Sequence, residues 1–140
     1  MKPKVTLLAL VLAGMCFSSA GMDRWAALSQ IESGDNDKAV GKNGEISRYQ
    51  ILPDVWSAFA AENANWENPK EALAVAKEAM KKRCAEFEQT FHRAPSDFEF
   101  YVLWNAPAQI EQPGNAVTER AKRFCNLVGK KEGLAATPKQ

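Results

Sequence analysis

The stretch Trp25-Ala26-Ala27-Leu28-Ser29-Gln30-Ile31-Glu32-Ser33-Gly34, followed after a polar segment by Val40-Gly41-Lys42-Asn43-Gly44-Glu45-Ile46-Ser47-Arg48-Tyr49-Gln50-Ile51-Leu52-Pro53, decides how this chain folds. On a helix, Trp25, Leu28 and Glu32 fall at i, i+3 and i+7 on one stripe, and Ser33-Gly34 closes that helix. The Glu32 carboxylate therefore leaves an apolar face at the helix's negative end. Withdrawal from water and the helix dipole both push such a carboxyl towards its protonated form, and a carboxyl kept protonated near neutral pH serves as a general acid. The alternative is a boundary Glu that turns out to solvent. Downstream, Asn43-Gly44 is a two-residue turn of the kind that takes positive φ twice. Short runs able to pair flank it, so a small β-hairpin is expected to return the chain past the helix.

The rest of the chain reads as helices with clear ends. Pro53 suits a first helical turn, with Val55, Trp56 and Phe59 as its apolar stripe until about Asn63. Asn68-Pro69-Lys70-Glu71 then supplies an N-cap, a proline at the first helical position and a capping-box acid. The long helix that follows carries the stripe Leu73, Ala76, Met80, Cys84, Phe87 and Phe91. Arg93-Ala94-Pro95 ends it, and Ser96 with Glu99 opens another helix through Phe98, Tyr101, Val102 and Trp104-Asn105. After a turn at Gln112-Pro113-Gly114, Asn115 is expected to cap a closing helix that carries Val117, Ala121, Phe124, Cys125 and Val128 and stops at Gly129. The expected fold is mainly α, with the small hairpin beside the helix that bears Glu32.

Composition narrows the function. Met1-Lys2-Pro3-Lys4, the apolar run Val5 to Met15 and the small residues Ser18-Ser19-Ala20 read as a secretory signal peptide, residues 1–20, too short in its apolar part to span a membrane. One domain over 21–129 and a mobile charged tail over 130–140 complete the expected organisation. The mature protein is expected to be secreted or periplasmic, a monomer, without stable membrane insertion. Of 18 basic side chains, removal of Lys2 and Lys4 leaves 16 against 17 acidic ones, a balance that gives no support for nucleic-acid binding. In an oxidising compartment Cys84 and Cys125 are expected to form a disulfide, which would stabilise by about 4 kcal/mol. Two buried thiols on facing helices are the alternative. A single histidine, His92, cannot supply a metal cluster with two cysteines expected to pair, and at its helix end among basic residues it fits a solvated or capping role rather than a part in a catalytic triad. No metal or cofactor is expected. What remains is carboxylate chemistry beside aromatics, since the four tryptophans and two tyrosines offer flat faces to sugar rings, although most belong in the core.

Glu32-Ser33-Gly34, the run Gly44 to Ile51 and Pro53 resemble the soluble lytic transglycosylase and goose-type lysozyme-like group. Its run is written Gly-Ala-x-Gly-Leu-x-Gln-Ile-x-Pro. Gly44, Gln50, Ile51 and Pro53 match it, while Glu45, Ser47 and Arg48 depart. Trp104-Asn105-Ala106-Pro107 is similar to the group's Tyr-Asn-Ala-Gly segment, with Trp for Tyr and Pro for Gly. The resemblance implies a lysozyme-like α+β fold in which Glu32 is the catalytic acid. Ser33 would contact substrate, Gln50 carries over as a residue that positions substrate or acid, with Tyr49 inferred beside it, and Asn105 would line the cleft opposite, with Trp104 either beside it or a core aromatic. The implied activity is cleavage of peptidoglycan glycan strands between N-acetylmuramic acid and N-acetylglucosamine by a lytic transglycosylase, in which one Glu suffices. Two alternatives stay open. One is a lysozyme-type hydrolase with Glu45 as second carboxylate, Asp35 and Asp37 standing behind it; the other is a non-catalytic peptidoglycan-binding module.

Overall fold

Five consecutive residues, Phe100 to Trp104, are buried, and the other helices are laid around them. The computed structural model describes residues 21–129, so the expected signal peptide and tail lie outside the described residues. In chain order come α1 (Arg24–Ser33), α2 (Pro53–Phe59), α3 (Pro69–Phe91), α4 (Asp97–Asn105), a short 3-10 turn (Pro107–Gln109) and α5 (Asn115–Val128). The architecture is mainly helical. A helix that is apolar on every side, as Phe100-Tyr101-Val102-Leu103-Trp104 makes α4, has to sit in the middle. It packs on α5 and on α3, while α1 lies against α5 and α2 against α3. Phe100 and Tyr101 meet the fully buried Phe124 of α5 at ring-centroid distances of 5.8 and 5.5 Å, and Trp25 of α1 stands edge-on to Phe100 at 5.6 Å.

The helix ends follow local chemistry. Asp23 caps α1 by accepting from the Trp25 and Ala26 amides, and Gly34 terminates it in the left-handed conformation, φ 65°. Asn68 caps α3 ahead of Pro69, and Ser96 and Glu99 form a reciprocal capping box on α4. His92, exposed and at φ 55°, is the left-handed cap that ends α3. Asn115 is the first residue of α5 rather than its cap, which is Gly114. The helix from Pro53 stops at Phe59, short of Asn63, because Ala60 is already extended. The inner face of α3 is also rotated from the expected stripe. Ala72, Val75, Ala76, Ala79, Met80 and Phe87 are buried, Leu73 and Cys84 only partly, and Phe91 is 36% exposed.

Two expectations are corrected here. The β-hairpin is not formed as strands: there are isolated antiparallel bridges, Val40 to Ile46 and Ile46 to Ile51. Asn43 does not adopt positive φ; Gly44 does so alone, at 84°, and its amide donates to Gly41 O at 3.1 Å, so Lys42 and Asn43 are the turn's centre. The ladder cannot lengthen, because the chain turns again immediately, with the Gln50 amide donating to Ser47 O at 3.1 Å. Ile46 thus serves both turns. The Cys84–Cys125 disulfide is absent as well, and both thiols are free and half-buried. Cys84 lies on α3 and Cys125 on α5, two helices that each pack on α4, and burial raises both thiol pKa values.

Candidate active site

A cavity of about 470 Å³, within the range of small-molecule sites, opens where the end of α1 faces the 40–52 loop. Ile31 and Glu32 form one side, and Gly41, Asn43, Glu45 and Gln50 the other. The end of α4 contributes Trp104 and Asn105; Arg83 of α3 and Arg120 of α5 complete the wall.

Glu32 reaches this cavity because α1 ends beside it, and α4 holds it there. The Tyr101 hydroxyl donates to Glu32 Oε1 at 2.6 Å across 69 residues of sequence. Tyr101 is fully buried, so that donor is fixed by packing. Burial lifts the Glu32 pKa above the ordinary carboxylate value; the Tyr101 bond and the charge of Arg120 pull it back in part, and the charge of Glu45 adds to the rise. The same neighbourhood drives the Tyr101 pKa far upwards, chiefly through burial, so its proton stays on the phenol. With Oε1 accepting from Tyr101, a protonated Glu32 carries its hydrogen on Oε2, the oxygen left for chemistry.

Glu45 shares the cavity and has the opposite electrostatics. Its Oε1 accepts from Asn43 Nδ2 at 3.0 Å and its Oε2 from the Asn43 amide at 2.9 Å. These bonds lower its pKa, so it is ionised at neutral pH. Gly41 makes the arrangement fit: a Cβ there would collide with the Glu45 carboxylate and stand 2.7 Å from Gln50 Oε1. Gln50 sits at φ 52° and donates through Nε2 to Ser47 O at 3.1 Å, which aims the amide across the turn.

Of the residues expected at the site, Glu32, Glu45, Gln50, Trp104 and Asn105 line the cavity. Ser33 and Tyr49 do not. The Ser33 hydroxyl donates to Arg48 O at 2.8 Å and accepts from the Asn36 amide at 3.1 Å, so it ties the end of α1 to the loop. Tyr49 is buried beside Trp25, and its carbonyl accepts from Trp104 Nε1 at 3.2 Å. That bond makes Trp104 both a core aromatic, 7% exposed, and a cavity wall. Asp35 and Asp37 are held by Ser29 and Arg48, away from the cavity. Tyr101, Arg83 and Arg120 were not anticipated as site residues. Tyr101 had a signal, since it lies one turn before Trp104 on α4, whereas nothing in the local sequence marks the two arginines.

Among the described residues no three His, Cys, Asp or Glu side chains form a group able to hold a metal ion, and no helix is long and apolar enough to cross a membrane. The cavity thus brings together one carboxyl whose pKa is raised by burial and another whose pKa is lowered by hydrogen bonds. No family model, no curated protein and no solved structure matches the chain.

Proposed function

We propose that this chain cleaves the glycan strand of peptidoglycan between N-acetylmuramic acid and N-acetylglucosamine, as a lytic transglycosylase of lysozyme-like type with Glu32 as its acid. The observation that carries the reading is Glu32 itself, at a cavity wall, its pKa raised by burial and its carboxyl oriented by Tyr101. Glu32 Oε2 gives its proton to the glycosidic oxygen, and positive charge develops on the sugar left behind. The ionised Glu32 then draws the proton from that sugar's C6 hydroxyl, which closes a 1,6-anhydro ring and returns the acid to its starting state. Proximity favours this hydroxyl, because it is tethered near the reacting carbon. Ser47 adds support from the backbone. The resembled group carries a glycine there, and Ser47 takes φ 69° while fully buried, a conformation that suits glycine.

A lysozyme-type hydrolase is the second reading, favoured by Glu45 in the same cavity. Two facts place it second. The Glu45 oxygens are engaged by Asn43, and a carboxylate with a lowered pKa is a weak base for activating water. The test is digestion of purified peptidoglycan. Wild-type protein is expected to release soluble fragments with anhydro ends, and Glu32→Gln to release none above background. Undiminished release by Glu32→Gln would remove the assignment.

A further inference from the structure

Arg120 is the cationic side chain of the cavity whose charge works against the Glu32 proton. It projects from α5, is exposed, and lines the cavity with the acid. Among the described residues it forms no ion pair. The other arginine there, Arg83, is spent: its Nη1 donates to Leu103 O at 2.9 Å and Trp104 O at 2.8 Å, and its guanidinium lies over the Trp104 ring. Lys42, also on the cavity wall, sits on the far side, where its charge acts on Glu45. The Arg120 guanidinium, which also reaches the Tyr101 hydroxyl, is thus left without an acidic partner beside the reacting carboxyl, and its planar fork matches a carboxylate through two parallel hydrogen bonds.

We propose that Arg120 sets the specificity of this cavity by binding a carboxylate carried by the glycan near the linkage that Glu32 protonates. The inference rests on the glycan-cleaving reading of Glu32 and adds the chemical class of substrate, an amino-sugar polymer with an acidic substituent rather than a neutral one. It also gives the arginine a purpose. Unpaired, Arg120 favours loss of the Glu32 proton; paired with a substrate anion, its field is cancelled and the acid keeps its proton until the linkage is in place. Two sources supply such an anion in peptidoglycan: the lactyl carboxylate of a peptide-free strand, and the carboxylates of a peptide stem.

The experiment uses intact peptidoglycan, strands freed of peptide by an amidase, and those strands with carboxyl groups reduced to alcohols. For Arg120→Gln, kcat/KM is expected to fall about tenfold on strands that bear the recognised carboxylate and less than about twofold on reduced strands, the loss of one charge-assisted bond. Wild type should itself lose about tenfold on reduction, and Arg120→Lys should recover part of the deficit. A loss on stripped strands assigns the lactyl group; a loss confined to intact peptidoglycan assigns the stem. An equal loss on all three substrates, or none, overturns the proposal, because Arg120 would then act only through Glu32 or not at all. Binding of the three substrates to Glu32→Gln, with and without Arg120→Gln, is measured in parallel. Carboxylate-dependent binding that needs Arg120, in a protein whose wild type cuts nothing, would sustain Arg120 while removing the enzymatic reading. The absence of both cleavage and such binding would remove the proposal too.

Discussion

The two walls of the cavity hold carboxylates by opposite means. On the helical wall, Glu32 accepts from the fully buried Tyr101, and burial dominates its chemistry. On the loop wall, Glu45 is held by an amide and a side chain of Asn43, within a segment that needs positive φ at Gly44, Ser47 and Gln50. The same side chain becomes a candidate acid at one address and a turn cap at the other. What separates them is which backbone groups are free. The last turn of a helix has spent its amides on its own ladder and leaves a carboxylate only a tyrosine to lean on, whereas a loop turn has amides to give.

The largest effect is expected from Glu32→Gln. General acid catalysis contributes roughly 100- to 10,000-fold, and the amide retains an oxygen for Tyr101 while losing the proton, so release of soluble fragments should fall by at least about 100-fold. Stability should move the other way. A carboxyl whose folded-state pKa is raised stabilises the fold below its unfolded value near 4.5, and this contribution is lost as pH rises through the folded pKa. Glu32→Gln should therefore melt higher than wild type at pH 7, with the gap closing at pH 4. A variant that melts lower at both pH values would mean that Glu32 is structural.

Tyr101→Phe comes next. The hydroxyl stabilises the ionised carboxylate, so its removal raises the Glu32 pKa further, and the alkaline limb of the pH–rate profile should move up. Activity at the optimum should drop by about tenfold, as one hydrogen bond to a charged group is lost and the carboxyl is freed to rotate. An unshifted limb would separate Tyr101 from the titrating group.

Those two residues mark the border of what the sequence made legible. Local signals placed the helix ends: Gly34 and Gly129 as stops, Asn68-Pro69 and the Ser96–Glu99 box as starts. Glu32 was visible from the spacing of Trp25 and Leu28. Its partner was not, because a contact between residues 32 and 101 is set by how α4 passes the end of α1, which no local spacing encodes. Arg120 was hidden for the same reason. Ser33 and Tyr49 adjoin true cavity residues, and adjacency misled: on a helix and in a tight turn, neighbours in sequence point different ways, so Ser33 braces Arg48 and Tyr49 enters the core. Asn43-Gly44 signals a hairpin locally, but the second turn at Ser47 to Gln50 leaves Ile46 no room to extend a ladder.

That second turn gives a smaller test on the loop wall. Positive φ at a non-glycine residue costs about 1–3 kcal/mol, and glycine's extra freedom in the unfolded chain takes back about 0.4–1 kcal/mol. The Ser47 hydroxyl adds only a 3.3 Å contact from the Tyr49 amide. Ser47→Gly should therefore stabilise the protein by about 0.5–1 kcal/mol, read as a rise of a few degrees in Tm, with fragment release unchanged. A fall in Tm would mean that the buried hydroxyl outweighs the backbone strain.

The smallest expected effect is also the one that separates lyase from hydrolase. If Glu45 only fastens the Gly41–Gly44 turn, Glu45→Ala should loosen the loop wall, change the cleavage rate by less than about threefold, and leave anhydro ends as the product, since the C6 hydroxyl that closes the ring belongs to the substrate. If Glu45 instead holds a water on the opposite face of the sugar, wild type should yield reducing ends and Glu45→Ala should suppress them. The two products differ by one water, about 18 Da, so mass spectrometry of the released fragments distinguishes them. Glu45→Gln sharpens the comparison, because it keeps an acceptor for the Asn43 amide while removing the base. Anhydro ends in wild type, Glu45→Ala and Glu45→Gln alike would make Glu45 a turn residue. Reducing ends lost in both variants would make the loop wall a second catalytic wall, and the protein a hydrolase.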